Sequence, residues 1–99
     1  MLIGCEVISL ENKNVILEFF TSKTCLYCRT ALKMVQKAKQ KFGTRLDIQE
    51  IDIDTPNGQI LKQIYMVEGT PTIVINRIVA FRGLPPGQEE LETKIEEFL

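Results

Sequence analysis

Val15-Ile16-Leu17-Glu18-Phe19-Phe20 and Thr24-Cys25-Leu26-Tyr27-Cys28 are the two stretches whose reading decides the fold. The first is an almost continuous apolar run of strand length, which predicts a buried strand. Its apolarity on both parities predicts a central, parallel position covered on both faces. The second opens a helical pattern expected to run from about Cys25 to Phe42, with Thr24 as the natural N-cap. That reading places the Cys25 thiol at a helix N-terminus, where unpaired N–H groups and the helix dipole favour a thiolate. Cys28, three residues on, is within reach to close a small disulfide ring. A strand, a Cys-x-x-Cys and a helix in that order suit thiol–disulfide exchange.

Composition bounds the remaining classes. The chain has 99 residues, 44% of them hydrophobic, which predicts one domain (1–99) with a real core. A charged fraction of 25% and a net charge of −1 point to neither a nucleic-acid nor a membrane partner. No apolar run approaches the roughly 18 residues of a spanning helix. Leu2-Ile3-Gly4-Cys5 has the small-residue look of a lipoprotein processing site. A signal peptide, however, needs a basic region and an apolar stretch of roughly 7–15 residues upstream, so a cytoplasmic location is expected. Three cysteines are too few for a disulfide-stapled scaffold. With no histidine in the chain, a four-ligand zinc site within one copy is not expected either. A metal bridging two chains is the minor alternative to a redox pair. Neither a metal nor an organic cofactor is expected.

Along the chain, Glu6–Leu10 has the weak alternation of a short strand, and Glu11–Asn14 is a polar turn. In the first helix Ala31, Met34, Val35, Ala38 and Phe42 recur at helical spacing and should face the core. Arg29, Lys33, Lys37 and Lys41 form the opposite face, and Gly43 is the expected C-cap. Leu46–Ile53 reads as a strand whose alternation changes phase between Ile48 and Ile51, predicting a bend or bulge. Asp54 or Thr55 should cap a short helix opening at Pro56, with Ile60, Leu61 and Ile64 buried. Thr72–Ile75 and Ile78–Phe81 form a hairpin across Asn76-Arg77. A last helix buries Leu91, Ile95 and Phe98. The order is β-α-β-α-β-β-α, an α/β chain.

Together, the strand ending in Glu18-Phe19-Phe20, Cys25-Leu26-Tyr27-Cys28, Gly69-Thr70-Pro71-Thr72, and Gly83 with the Gly87-Gln88 helix start resemble the thioredoxin superfamily over nearly the whole length. The likeness is nearest to small archaeal-type thioredoxin or glutaredoxin-like disulfide oxidoreductases. It implies a thioredoxin-like fold: a mixed four-stranded sheet, five-stranded if Glu6–Leu10 joins it, covered by helices on both faces. It implies a dithiol–disulfide oxidoreductase in which Cys25 attacks and Cys28 resolves. It also implies a cis bond before Pro71, which would lie against the disulfide and, with Tyr27 and Thr70, bind substrate. Protein disulfides and an upstream reductase are the implied partners, and a monomer is expected. The chain carries Leu26-Tyr27 where thioredoxins typically have Gly-Pro, and it has no tryptophan. Relative to glutathione-using glutaredoxins, Leu26 replaces a proline, Thr70-Pro71 lacks an intervening valine, and Gly83-Leu84-Pro85-Pro86 replaces a Gly-Gly turn. A glutathione-coupled enzyme and a non-catalytic binding module remain the alternatives.

Two residues keep double readings. Glu18 is either a carboxylate at the strand edge with a lysine partner, or a buried one behind the disulfide that takes part in proton transfer, as an aspartate on this strand does in thioredoxins. Cys5 lies outside every motif and is expected to be a packed, dispensable thiol.

Overall fold

The computed structural model describes residues 14–99. The expected strand at Glu6–Leu10, and Cys5, lie outside them. The described elements are β1 (Val15–Thr21), α1 (Cys28–Phe42), a 3₁₀ turn (Gly43–Arg45), β2 (Leu46–Asp52), α2 (Pro56–Ile64), β3 (Thr72–Ile75), β4 (Ile78–Arg82) and α3 (Gln88–Glu96). The strands form one mixed sheet in the order β2-β1-β3-β4. β1 is central, pairing in parallel with β2 and antiparallel with β3.

Strand alternation sends successive side chains of β1 to opposite faces. Val15, Leu17 and Phe19 join the larger core, built with Ala31, Val35, Ala38 and Phe42 of α1 and Leu91 and Ile95 of α3. Phe20 joins a smaller core on the other face, with Ile51, Val67 and Val74, under Leu61 and Tyr65. Thus α1 and α3 cover one face and α2 the other. β3 is buried throughout, with Ile73 and Ile75 on the first face and Val74 on the second.

β2 needs no bulge. Its register with β1 runs unbroken from Val15↔Leu46 to Thr21↔Asp52. Ile48 and Ile51 change phase because each serves a different face, Ile48 the larger core and Ile51 the smaller. The irregularity falls instead between Ile73 and Val74, whose partners are Phe81 and Val79. It leaves Ala80 outside the paired register and puts Ala80 and Phe81 on the same core. The β3–β4 turn carries positive φ at Asn76 (49°) and Arg77 (70°), as a tight two-residue hairpin requires. The Asn76 N–H donates to the Ile16 carbonyl at 2.9 Å, and the Ile16 N–H donates to Asn76 Oδ1 at 2.8 Å. The turn is thereby tied to the central strand.

α1 ends as expected at Gly43, in a positive-φ conformation, and Lys39 Nζ donates to the Gly43 carbonyl. α2 opens with Thr55 as N-cap, its hydroxyl accepting from the Gly58 N–H at 3.0 Å. The expected buried side of α2 is corrected: Ile60 and Ile64 are 59% and 62% exposed, and only Leu61 of the three packs inward. The reason is Gly58, which is buried so close to β2 that a Cβ would land on the Asp52 carbonyl. This close approach aims the Gly58–Leu61–Tyr65 side at the sheet and turns Ile60 and Ile64 outward. α3 starts with Glu89 and Glu90 in its first turn, where the helix dipole favours acids. Phe98 packs against the core from beyond the helix end. Among the described residues no helix is long and apolar enough to cross a membrane.

Gln88 docks α3 onto α1, donating to the Met34 carbonyl at 3.0 Å and to Glu92 Oε2 at 2.8 Å. The hydrogen bond from Gln88, together with Lys41, holds the Glu92 carboxyl below its ordinary range against a smaller opposing effect of burial. A depressed folded-state pKa stabilises above the unfolded pKa of about 4.3 and loses that contribution as pH falls through the folded value. Glu92→Gln should therefore flatten the acid limb of the stability–pH curve in urea titrations, leaving the neutral-to-alkaline part level with the wild-type slope. Gly58→Ala should cost about 1–3 kcal/mol as an overpacking change, read as a Tm drop of roughly 4–8 °C per kcal/mol.

Candidate active site

β1 ends at Thr21, and residues 22–27 carry the chain across to α1. The Cys25 N–H turns back onto the Ser22 carbonyl at 3.4 Å. The helix then starts three residues later than expected. Its first residue is Cys28 and its N-cap position is Tyr27, so Thr24 is not the cap. Cys25 therefore sits in the turn before the helix, not in its first turn. The physical reason is the Cys25–Cys28 disulfide, which spans that turn with a Cα–Cα separation of 5.5 Å. The Tyr27 side chain makes no capping bond. The first-turn N–H donors thus face the sulfur end of the helix without competition from a capping oxygen.

The two cysteines differ in access. Cys28 is 6% exposed and belongs to the larger core with Phe19 and Ala31, whereas Cys25 is half-buried at its margin. Between them Leu26 is 87% and Tyr27 59% exposed. The second loop of the site precedes β3. Its Thr70–Pro71 bond is cis, and Pro71 is buried, its carbonyl accepting from the Gly83 N–H at 2.8 Å. The Thr72 hydroxyl donates to the Gly69 carbonyl at 2.8 Å. Ser22 Oγ and Thr70 Oγ1 lie 3.2 Å apart and share a hydrogen bond, which joins this loop to the one that carries the disulfide. A shallow hollow along it is lined by Glu68, Gly69, Thr70, Pro71, Arg82 and Gly83.

Of the residues singled out from sequence, Cys25 and Cys28 are bonded to each other and Thr70 is joined through Ser22 to the loop that carries Cys25, with Pro71 next to Thr70 and Tyr27 between the cysteines. Glu18 is not. It follows Leu17 and precedes Phe19, so its side chain leaves β1 on the face away from the disulfide. There it lines an open hollow with Ile16, Gln49, Asn76 and Arg77. The placement behind Cys28 is therefore corrected, and among the described residues no lysine lines that hollow. Its neighbour is Tyr65, whose phenol is held above its ordinary range by burial and then by the Glu18 carboxylate, with Arg77 opposing.

Sequence reading missed Glu50. The cleft beside the disulfide, about 240 Å³, is lined by Glu50, Lys23, Arg29, Phe19 and both cysteines among others. Nothing in the spacing of Leu46–Asp52 marks Glu50. Only its pairing with Phe19 in the β1–β2 register brings it there. Among the described residues no group of three or more His, Cys, Asp or Glu side chains is placed to hold a metal ion.

The family model described as a thioredoxin domain matches residues 13–96. The chain belongs to the thioredoxin family. It is 40% identical over 81 residues to a probable thioredoxin of Methanothermobacter marburgensis, a match covering 82% of this chain and 92% of that one. A probable thioredoxin of Methanothermobacter thermautotrophicus is 37% identical over 81 residues, with 82% and 93% covered. Among solved structures, a mutant thioredoxin from Halobacterium salinarum superposes with a TM-score of 0.69 at 25% identity, covering 90% of this chain and 78% of that one. The likeness to archaeal-type thioredoxins is therefore borne out, as are the mixed four-stranded sheet and the helices on both its faces. This thioredoxin-family chain, with its Cys25–Cys28 disulfide, is a thiol–disulfide oxidoreductase whose substrates are protein disulfides.

Glu18→Gln should lower the Tyr65 phenol pKa toward its ordinary value, because the variant removes a negative charge that opposes ionisation. Ultraviolet titration in a Tyr27→Phe background, which leaves Tyr65 as the only tyrosine, reads this directly. An unchanged titration would assign the shift to burial alone.

Proposed function

We propose that Cys25 is the nucleophile and Cys28 the resolving thiol in the reduction of protein disulfides. The difference in burial carries this reading: Cys25 is half-buried at the margin of the core, whereas Cys28 is 6% exposed within it. The Cys25 thiolate attacks one sulfur of the substrate disulfide, forming a mixed disulfide and releasing the other substrate sulfur as a thiolate. Cys28 then attacks Cys25 Sγ, closing the Cys25–Cys28 bond and expelling the second substrate thiolate. Two electrons pass to the substrate, and no cofactor is required for either exchange.

Leu26 and Tyr27 present an exposed apolar rim beside the sulfurs, and Thr70 and Pro71 lie on the loop tied to them. These four residues would hold the substrate chain as it crosses the disulfide. Extended backbone laid along the Thr70–Pro71 loop is the recognition mode that fits, with side chains resting on Tyr27. An upstream reductase returns the pair to the dithiol form. The chain works as one monomeric domain in the cytoplasm.

Alkylation of the reduced protein at mildly acid pH should label Cys25 before Cys28. Cys28→Ser should trap a mixed disulfide with an oxidised protein substrate, and Cys25→Ser should abolish trapping. Labelling of Cys28 first, or trapping by Cys25→Ser, would reverse the two roles.

A further inference from the structure

Resolution of the mixed disulfide needs a thiolate at Cys28, and an ordinary thiol is ionised only to a few per cent at neutral pH. Cys28 is almost wholly inside the core, so its proton leaves through the cleft that opens beside it. Glu18, on the far face of β1, has no path to that cleft. Glu50 does. Its register with Phe19 puts it on the disulfide side of the sheet, and it lines the same cleft as both cysteines.

We propose that Glu50 is the acid–base group of the disulfide cleft, taking the Cys28 proton during resolution directly or through one water. The step rests on the roles assigned above to Cys25 and Cys28. In it the Glu50 carboxylate accepts the Cys28 S–H proton, and the Cys28 sulfur attacks Cys25 Sγ. The Cys25–Cys28 bond forms while the bond between Cys25 and the substrate sulfur breaks. The substrate leaves as a thiolate and takes the proton back from Glu50 or from water. The protein dithiol is oxidised by two electrons and the substrate disulfide is reduced by two.

The other charged groups of the cleft cannot take this part. Lys23, from the loop after β1, and Arg29, from α1, line it as cations. As cations they favour a thiolate electrostatically and carry no acceptor lone pair. Asp52, two residues along β2 on the same face, does not line the cleft and accepts instead from the Asp54 N–H at 2.9 Å. Glu50 is exposed, so replacing it removes little from the core.

The test is rapid mixing of the reduced full-length protein, carrying Cys5→Ser in every variant so that Cys25 and Cys28 are its only thiols, with a small nitrobenzoate disulfide whose released thiolate absorbs visibly. The first equivalent of thiolate reports attack by Cys25 and the second reports resolution by Cys28. Glu50→Gln should leave the first phase within about twofold. It should slow the second about tenfold, less than the 10²–10⁴ typical of general bases because the cleft is open to water. Glu50→Asp should recover part of the loss. Across the neutral range the second phase with Glu50 in place should vary less with pH than that of Glu50→Gln, which lacks the carboxylate that takes the proton. A Glu50→Gln second phase with the wild-type rate and pH slope would overturn the proposal. Cys28→Ser is the control for roles: its second phase should vanish. A surviving second phase would overturn the role of Cys28, and the proposal with it, whatever Glu50→Gln does.

Discussion

β1 is hydrogen-bonded along both edges, to β2 and to β3, and the helices pack on the two faces of the sheet it centres. A backbone donor or acceptor buried inside such a strand must find a partner, because water cannot reach it. The two neighbours supply those partners and set the register, and the register decides which side chains of β2 and β3 stand beside which side chains of β1. The larger core, the smaller core and the disulfide cleft all follow from that arrangement.

The cleft illustrates how one strand parity separates two kinds of chemistry. Phe19 points to the α1 side and forms part of the buried wall against which Cys28 rests. Glu18 and Phe20 point the other way, toward Tyr65 and the α2 side. A carboxylate at position 18 is therefore close to the disulfide in sequence and remote from it across the sheet. The carboxylate that lines the disulfide cleft comes from the neighbouring strand, at the position paired with Phe19.

Around the redox pair, order comes from ties between loops more than from a helix cap. The Ser22–Thr70 hydrogen bond joins two loops separated by 48 residues. The Gly83 N–H in turn holds the Pro71 carbonyl. The disulfide spans the turn ahead of α1, and the helix begins only where that turn ends. An exposed rim at Leu26 and Tyr27 lies between a half-buried Cys25 and a buried Cys28.

Periodicity and turn chemistry made much of this legible in the chain itself. The Val15–Phe20 run, the two-residue hairpin at Asn76-Arg77, the Thr55-Pro56 helix start and the inward stripe of α1 are local signals, and each depends on residues within a turn or two of one another. Cys25 and Cys28 belong to the same class, since three residues of chain bring their sulfurs within bonding range. What the chain alone did not decide depends on which elements become neighbours. Ile60 and Ile64 form an apolar side of α2, yet the close approach of Gly58 to the Asp52 backbone turns them to solvent. The phase change in β2 looks like a bulge until both faces of the sheet are seen to be covered. Glu50 carries no local mark at all. Its place beside the disulfide is set by hydrogen bonds between two strands some thirty residues apart, a non-local pairing that only the folded chain supplies.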